Sequence, residues 1–308
     1  MKVLLLSLSA VICCCVNVVV LEFLLKEDPN MANTMTFCQF LFISTFLFAT
    51  HSKFGSRPLA VPPVYHALMV TFFFISNVVN NWVFKFNISL PLHMIFRSGS
   101  LLVNMILGVL LMNKRYSLMK YLAVVMVTIG IALATTVSAK MVQNKEYGED
   151  TEFTIWLFGI FMLVFALISS SMLGLAQEKF VTKFGKHPQE AMYMSHILPL
   201  PGFLIFIPEI LTNFSNFSRS TPINLYILFF PKMWLLMILN VASSFLCIRS
   251  IFSLTTEAPS LTVNLVVSLR KFVSLIFSVL YFQNPFTIYH WLSTVLVFAG
   301  TFIFSMVR

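Results

Sequence analysis

Charge is what this chain has least of. Only 10% of its 308 residues are Asp, Glu, Lys or Arg, whereas 58% are hydrophobic and the mean hydropathy is +0.90. Soluble domains carry about 25% charged residues, and a globule this apolar would have too few polar side chains to cover its surface. The composition therefore excludes a soluble enzyme. It also excludes an intrinsically disordered chain, which needs high charge and low hydrophobicity.

Cysteine is scarce as well, with five residues in the chain. Small domains held together by disulfides have a far higher density of cysteine, so a disulfide scaffold is excluded. All five lie in apolar runs and lack the spacing of metal ligands: Cys13, Cys14, Cys15, Cys38 and Cys247. We expect them to fill space between helices rather than to carry chemistry.

Long apolar runs are what the chain has in abundance. A membrane-spanning helix needs roughly 20 apolar residues, and a barrel strand only about 10 of alternating polarity. Ten runs are long and do not alternate, near residues 3–25, 35–50, 64–84, 90–112, 118–138, 154–175, 191–211, 231–250, 258–282 and 286–306. They predict an all-α membrane protein with ten transmembrane helices, forming a single transmembrane domain over residues 1–308. The connections between the runs are too short for a soluble domain.

The basic residues are distributed unevenly over the loops. With both termini in the cytosol, eleven Lys and Arg residues fall on the cytosolic side and six on the opposite side, and the positive-inside rule favours this orientation. The glycosylation sequons that begin at Asn213 and Asn216 then fall on the far side, where glycans are added. The basic residues are dispersed rather than gathered in a stripe, so we do not expect a nucleic-acid partner.

The chain also contains a weak internal repeat. A shift of 170 positions superposes spans four and five on spans nine and ten, and it aligns Asn113–Ser117 with Gln283–Thr287. The identical pairs include Ser98 with Ser268, Val103 with Val273, Val127 with Val297 and Gly130 with Gly300. We predict two repeats, about 1–138 and 154–306. Because five spans per repeat is an odd number, the two five-helix repeats would be inverted relative to each other.

Three basic side chains lie where lipid should reject them: Arg97 in span four, and Arg270 and Lys271 in span nine. A charge at the bilayer centre costs about 2.5–3.5 kcal/mol on insertion scales. Glu22 is the acidic residue well inside a predicted span, and one carboxylate cannot neutralise three cations. One interpretation pairs Glu22 with these cations, helped by carbonyls and water. We favour the other, in which an anionic ligand binds near the midplane.

Polar residues recur on the same helical faces as these cations. The stripes are His93, Arg97, Ser100, Asn104 and Gly108 in span four; Asn264, Ser268 and Lys271 in span nine; Asn77, Asn80 and Asn81 in span three; and Asn240, Ser243, Ser244 and Cys247 in span eight. Steps of three and four place the members of a stripe on one face. Together the stripes predict a shared polar cavity, although single Asn and Ser residues also form hydrogen bonds between helices. The Arg fork and the Lys charge suit a diphosphate.

Two stretches resemble the signatures of nucleotide-sugar transporters. One runs from Asn80-Asn81-Trp82 through Pro91 to Ser100, and the other runs from Ser268 through Arg270-Lys271 to Thr287. Both are most similar to the UDP-xylose and UDP-N-acetylglucosamine transporter branch, as are residues 184–187 and 198–203. In span seven the branch tends to carry an aromatic-Tyr-Asn-His run that is thought to help hold the base. This chain has Tyr193-Met194-Ser195-His196 there.

The resemblance implies a fold of the drug/metabolite transporter type in a Golgi or endoplasmic reticulum membrane, where a cytosolic UDP-sugar is exchanged for lumenal UMP. It assigns Arg270 and Lys271 to the phosphates. The full set of candidate substrate-binding residues is Arg270, Lys271, Arg97, Asn264, Ser268, Asn104, Ser100, His93, Asn80, Asn81, Tyr193 and His196. Because the sequence contains no visible nucleophile–base pair or metal-ligand cluster, we expect no enzymatic activity and no cofactor.

The expected partners are the UDP-sugar, UMP and the lipid bilayer, and we also consider a homodimer. The alternative function is export of another organic anion, a sugar phosphate or an amino acid, on the same fold.

Overall fold

The computed structural model describes residues 2–143, 150–185, 187–225, 228–258 and 260–307. Its α-helices are α1 Lys2–Glu27, α2 Ala32–Thr50, α3 Pro63–Trp82, α4 Leu90–Arg97, α5 Ser100–Met112, α6 Leu118–Gln143, α7 Asp150–Phe184, α8 Pro188–Ile197, α9 Ile207–Ser218, α10 Lys232–Glu257, α11 Ser260–Phe282 and α12 Ile288–Met306. Short 3-10 segments cover Pro29–Met31, Val83–Phe86 and Leu200–Phe206. An antiparallel hairpin pairs β1 Pro222–Leu225 with β2 Leu228–Pro231 before α10.

The predicted ten spans are confirmed within the described residues. They are Val3–Glu27, Pro29–Thr50, Pro63–Phe86, Leu90–Met112, Leu118–Gln143, Glu152–Phe184, Pro188–Ser218, Lys232–Leu254, Leu265–Phe282 and Ile288–Met306. Spans four and seven each combine two helices, α4 with α5 and α8 with α9. The protein is therefore a multi-pass membrane protein.

Some spans are longer than the apolar runs predict. Span six reaches Phe184 instead of residue 175, and span seven ends at Ser218 instead of residue 211. Hydropathy loses a helix at its first charged residues, whereas backbone hydrogen bonds continue through them. Span two begins at Pro29, where Asp28 caps the chain by accepting a hydrogen bond from the Asn30 N–H at 2.8 Å. Its apolar signal is weak because 56% of its most apolar window is buried in protein instead of facing lipid.

Span four is not the single helix that the sequence predicts. Between α4 and α5 the N–H groups of Ser98 and Gly99 bond to carbonyls three residues back, at 3.1 and 2.9 Å. These bonds tighten the helix locally into a 3-10 turn, a feature that often marks a functional hinge. A Cβ on Gly99 would lie 2.9 Å from Ile131 Cδ1, so the tight packing here requires glycine. The turn follows directly after Arg97.

The predicted repeat has a counterpart in the backbone. Helices α5 and α11 end at residues 112 and 282, and α6 and α12 begin at residues 118 and 288, so both boundaries differ by 170 positions. The residues that follow α5 and α11 are Asn113 and Gln283, and both adopt positive φ, at 51° and 50°. The alignment of spans four and five with nine and ten therefore holds to the residue at this connection. The inverted arrangement of two complete five-helix repeats stays a prediction.

The expectation that the cysteines only fill space is wrong for two of them. Cys14 of α1 and Cys247 of α10 form a disulfide, while Cys13, Cys15 and Cys38 are free thiols. Spacing along the chain gave no hint of the pairing, because it depends on α1 packing along α10 across a separation of 233 residues. The disulfide joins spans one and eight covalently.

Candidate functional site

Four of the predicted side chains meet around one small cavity of about 70 Å³. Asn80 of span three, Arg97 and Ser100 of span four and Lys271 of span nine contribute to its lining. The other wall is α7, which contributes Leu163, Ala166, Leu167 and Ser170. We call this space the cationic cavity. Its charges come from both halves of the chain, as the polar stripes predict.

Arg97 reaches the cavity from the last turn of α4. The carbonyl groups at the end of a helix carry partial negative charge and favour a cation there. The side chain is exposed to a water-sized probe although protein atoms surround it as they would a buried group. The surface it exposes therefore faces an internal hollow rather than the outside of the molecule.

The cations of spans four and nine are not neutralised by carboxylates in the described part of the chain. Arg97 lies close enough to Arg270 and Lys271 for their charges to repel one another. The salt bridges found within the described residues involve other basic groups: Lys85 with Glu209, Lys114 with Glu178, Lys232 with Glu27 and His66 with Glu190.

Glu22 does not pair with these cations either. Its Oε1 accepts a hydrogen bond from Asn284 Nδ2 at 2.6 Å, and its carboxylate also bonds to Ser278. The interpretation that pairs Glu22 with the three cations is therefore wrong for this structure. The cost of keeping the charges inside the membrane is left to solvent or a ligand to offset.

Arg270 lies beside the disulfide that joins spans one and eight. Its Nη1 is 3.9 Å from Cys247 Sγ, and its Nε is buried with no hydrogen-bond partner among the described residues. An unpaired guanidinium N–H in a buried position is costly. Arg270 therefore retains an unused donor next to the cationic cavity.

A hydrogen-bond network fixes the polar wall of the cavity. His93 Nε2 lies 3.2 Å from Asn80 Oδ1, and Asn80 Nδ2 donates to the Ser76 carbonyl at 2.6 Å. The hydroxyls of Ser76 and Ser170 are 2.6 Å apart and join α3 to α7. His93 is buried behind Asn80, so its direct role is to position that amide.

Other predicted residues lie away from this cavity. Asn81 donates to Asn33 Oδ1 at 3.2 Å and to Thr36 Oγ1 at 2.8 Å, so it joins span three to span two. Asn104 faces Gly174 of α7. Ser268 is half-buried on α11 outside the described lining. The side chain of Asn264 lies outside the described part of the structure.

Tyr193 and His196 are buried in α8 rather than in the cationic cavity. Tyr193 packs in a cluster with Ile43, Leu47 and Phe245. His196 Nδ1 lies 2.7 Å from the Met192 carbonyl, and its ring packs edge-on against Phe40 and Phe73. The structure does not bring these two residues together with the cations.

The polar stripe of span eight forms interhelical bonds instead of lining the cationic cavity. Asn17 Nδ2 donates to the Asn240 carbonyl at 2.9 Å and to Ser243 Oγ at 3.3 Å. Gln39 Nε2 donates to Asn240 Oδ1 at 2.6 Å. For this stripe, hydrogen bonding between helices is the correct interpretation.

Two residues of the site were missed by sequence reasoning, namely Ser76 and Ser170. Both are polar residues inside apolar runs, and Ser170 is the middle of the run Ser169-Ser170-Ser171. The rule that found the other stripes would have found them if it had been applied to span six and to the start of the span-three stripe.

A second, larger cavity of about 850 Å³ lies where α2 and α10 end and α8 begins. We call it the outer pocket. Its basic residues are His51, Arg57, His187 and Arg249. Aromatic and aliphatic side chains complete much of the wall, among them Phe46, Leu47, Met192, Phe245 and Phe252.

Glu190 of α8 holds one rim of the outer pocket in place. It is 5% exposed, and its two oxygens accept hydrogen bonds from the Ala60 and Val61 N–H groups at 2.7 and 2.8 Å. His66 Nε2 lies 3.6 Å from the same carboxylate. The segment between spans two and three is thereby fastened to span seven. The prediction of span boundaries left Glu190 just outside span seven, which is why it was not considered.

A sequence profile of the UAA transporter family matches residues 2–308. The chain belongs to this family. As a UAA transporter it moves a solute rather than catalysing a reaction. It is 47% identical over 300 residues to a Danio rerio protein named "UDP-xylose and UDP-N-acetylglucosamine transporter", with 96% of this chain and 91% of that protein covered.

Two further relatives are similar over comparable lengths. The Homo sapiens "Nucleotide sugar transporter SLC35B4" is 46% identical over 300 residues, with 96% of this UAA transporter and 91% of the relative covered. The Drosophila melanogaster "Endoplasmic reticulum GDP-fucose transporter" is 45% identical over 320 residues, with 100% and 91% covered. The resemblance to nucleotide-sugar transporters inferred from the motifs is confirmed.

Proposed function

We propose that this UAA transporter carries a UDP-sugar, UDP-xylose or UDP-N-acetylglucosamine, from the cytosol into the lumen of the Golgi or endoplasmic reticulum in exchange for UMP. The observation that carries the proposal is the meeting of Arg97 and Lys271 at one cavity with no carboxylate to neutralise them among the described residues. A diphosphate supplies the missing negative charge. The names of the Danio rerio and Homo sapiens relatives support the substrate class.

The proposed mechanism is alternating access around the cationic cavity. Its volume of about 70 Å³ is far below the roughly 300–1,000 Å³ of ligand pockets. The helices around it must therefore separate before a nucleotide sugar can bind. The tightened turn after Arg97 is a place where α4 can pivot against α5.

The same charges account for exchange. A UDP-sugar carries about two negative charges and UMP nearly as many, so either one offsets the repulsion between the cations. An empty carrier would have to close over unpaired charges, which costs several kcal/mol per buried ion. Return of the carrier loaded with UMP avoids that cost, so coupled exchange is favoured over one-way transport.

The experiment that tests this function is uptake of labelled UDP-N-acetylglucosamine into proteoliposomes. Vesicles preloaded with UMP should take up the sugar nucleotide several times faster than empty vesicles. Equal rates in both would overturn the exchange mechanism. A panel that adds UDP-xylose, GDP-fucose, a triose phosphate and an amino acid tests the substrate class. Preference for GDP-fucose, for which the Drosophila melanogaster relative is named, would overturn the choice of uridine.

The orientation and the compartment belong to the same proposal. Both termini are placed in the cytosol by the excess of basic residues on that side. An antibody against a tag at either end should bind in cells whose plasma membrane alone has been permeabilised. Binding that requires permeabilised Golgi and endoplasmic reticulum membranes would reverse the orientation.

A further inference from the structure

The outer pocket combines unneutralised positive charge with a free opening. Arg57 and Arg249 both line it, and both are exposed. The carboxylate of its described lining belongs to Glu190, whose two oxygens are already occupied by the Ala60 and Val61 N–H groups. Glu190 therefore holds the rim in place and leaves the two guanidinium groups available for an anion from outside.

Two histidines lie among the same lining residues. His51 follows the end of α2, and its Nδ1 is buried without a hydrogen-bond partner in the described structure. His187 precedes α8, and its Nε2 is 3.1 Å from the Phe184 carbonyl. The pocket thus offers an unused imidazole nitrogen in addition to two arginine forks. Such groups are suited to phosphate oxygens.

The opposite wall of the pocket is aromatic. The rings of Phe46 and Phe245 pack edge-on, with centroids 4.7 Å apart. Phe245 also belongs to the buried cluster that contains Leu47, Met192 and Tyr193. This cluster forms a floor that separates the pocket from the interior of the membrane domain. A flat apolar surface opposite cationic groups suits a nucleobase joined to phosphates.

Size separates the two cavities. The outer pocket has about 850 Å³, within the roughly 300–1,000 Å³ of typical ligand pockets. The cationic cavity has about 70 Å³, the share of liquid volume of only two or three water molecules. In this conformation the outer pocket has room for a nucleoside diphosphate, and the cationic cavity does not.

We propose that the outer pocket is a capture site for a nucleoside diphosphate, with Arg57 and Arg249 on the phosphates and the Phe46–Phe245 wall against the base. The proposal rests on the proposed function, because the captured molecule is the transported nucleotide sugar. The charge count places the pocket at the cytosolic end. Positive charge at the mouth of a cavity raises the local concentration of an anion and its association rate.

The test compares uptake by Arg57→Gln, Arg249→Gln and the doubly substituted protein with wild type. Microsomal vesicles keep the predicted cytosolic face outward, so labelled UDP-N-acetylglucosamine reaches the outer pocket first. Arg115→Gln is the matched control, since Arg115 is an exposed arginine on the same predicted side and outside the pocket lining. All substituted arginines are exposed, and thermal unfolding in detergent verifies that each variant folds.

The expected result is a KM raised about tenfold by each substitution, as for loss of one charge-assisted hydrogen bond, with the maximal rate within about twofold of wild type. The control should match wild type. Raising the ionic strength should weaken uptake by wild type more than uptake by the double variant. An unchanged KM in the double variant would overturn the capture site.

Two further readings separate the remaining outcomes. If the KM increase appears in reconstituted vesicles only when anionic phosphatidylserine is present, the arginines bind a lipid headgroup and the proposal fails. If wild type transports no nucleotide sugar at all, the proposed function fails. Thermal stabilisation of the purified protein by UDP then decides the pocket: its loss in the double variant supports the capture site, and its persistence overturns it.

Discussion

Gly130 and Gly300 make reciprocal contacts across the interface between α6 and α12. A Cβ on Gly130 would lie 2.8 Å from the Ser293 carbonyl oxygen and 2.7 Å from Val297 Cγ2. A Cβ on Gly300 would lie 2.7 Å from the Ala123 carbonyl oxygen and 2.8 Å from Val127 Cγ2. Each contact becomes the other when its positions are exchanged by the 170-residue shift, as two-fold symmetry requires. The helices run antiparallel, which supports inverted repeats for spans five and ten.

These glycines should not tolerate a side chain. We expect Gly130→Ala and Gly300→Ala each to lower the stability by about 1–3 kcal/mol, because the new methyl group meets backbone oxygen that cannot move aside. The measurement is thermal unfolding of the purified protein in detergent. Gly174→Ala is the control, since its Cβ would have its nearest neighbour, Asn104 Oδ1, at 3.7 Å. Equal midpoints for all three variants would contradict the close packing.

Removal of a charge from the cationic cavity should abolish transport and leave the fold intact. We expect Lys271→Ala and Arg97→Ala to lower uptake by at least about 30-fold, which corresponds to about 2 kcal/mol of lost binding to the anion. The unfolding midpoint should not fall, because each substitution removes a repulsive charge. Lys140→Ala, at an exposed position of α6, is the control. Normal uptake by either cavity variant would remove that residue from the site.

The disulfide between Cys14 and Cys247 should stabilise the protein by about 2–4 kcal/mol, because it closes a long loop in the unfolded chain. We expect Cys14→Ala and Cys247→Ala to lower the unfolding midpoint to the same extent. The double substitution should lower it no further, since one bond is lost in every case. Cys13→Ala, a free thiol next to Cys14, serves as the control. Additive losses in the double variant would show that the two sulfurs contribute separately.

Glu190 should hold the segment between spans two and three against span seven. Glu190→Gln keeps the size of the side chain but replaces one acceptor oxygen with an NH₂ group. One of the Ala60 and Val61 N–H groups then loses its partner, at a cost of about 1–3 kcal/mol. We expect a lower unfolding midpoint and faster tryptic cleavage after Lys53. The neighbouring exposed Gln189→Ala should change neither. Wild-type cleavage rates in Glu190→Gln would show that the rim is held by other contacts.

The two glycosylation sequons should behave differently. The Asn213 amide is 4% exposed and donates to Thr34 Oγ1 at 2.8 Å, whereas Asn216 is exposed. We expect Asn213 to carry no glycan. Ser215→Ala destroys the first sequon without touching the buried amide, so it should leave the endoglycosidase-sensitive mobility unchanged. A mobility shift removed by Ser215→Ala and not by Ser218→Ala would contradict the burial of Asn213.

The sequence predicted the parts of this protein that depend on solvent. Ten spans follow from apolar runs, because lipid rejects polar residues over the whole length of a helix. Arg97 and Lys271 were identified by the same rejection, and both line the cationic cavity. The stripe of span eight was misread, because an Asn that binds a ligand and an Asn that binds a neighbouring helix look the same in one chain.

What the sequence by itself determined is which residues lie in the membrane and which of them are too polar to face lipid. Only the tertiary structure decided which polar residues meet. It directed Asn80 to the cationic cavity and Asn81 to span two, and it joined Cys14 to Cys247. The reason is that hydropathy acts on each residue separately, whereas a hydrogen bond, a disulfide or a cavity requires two helices packed at a particular rotation and register.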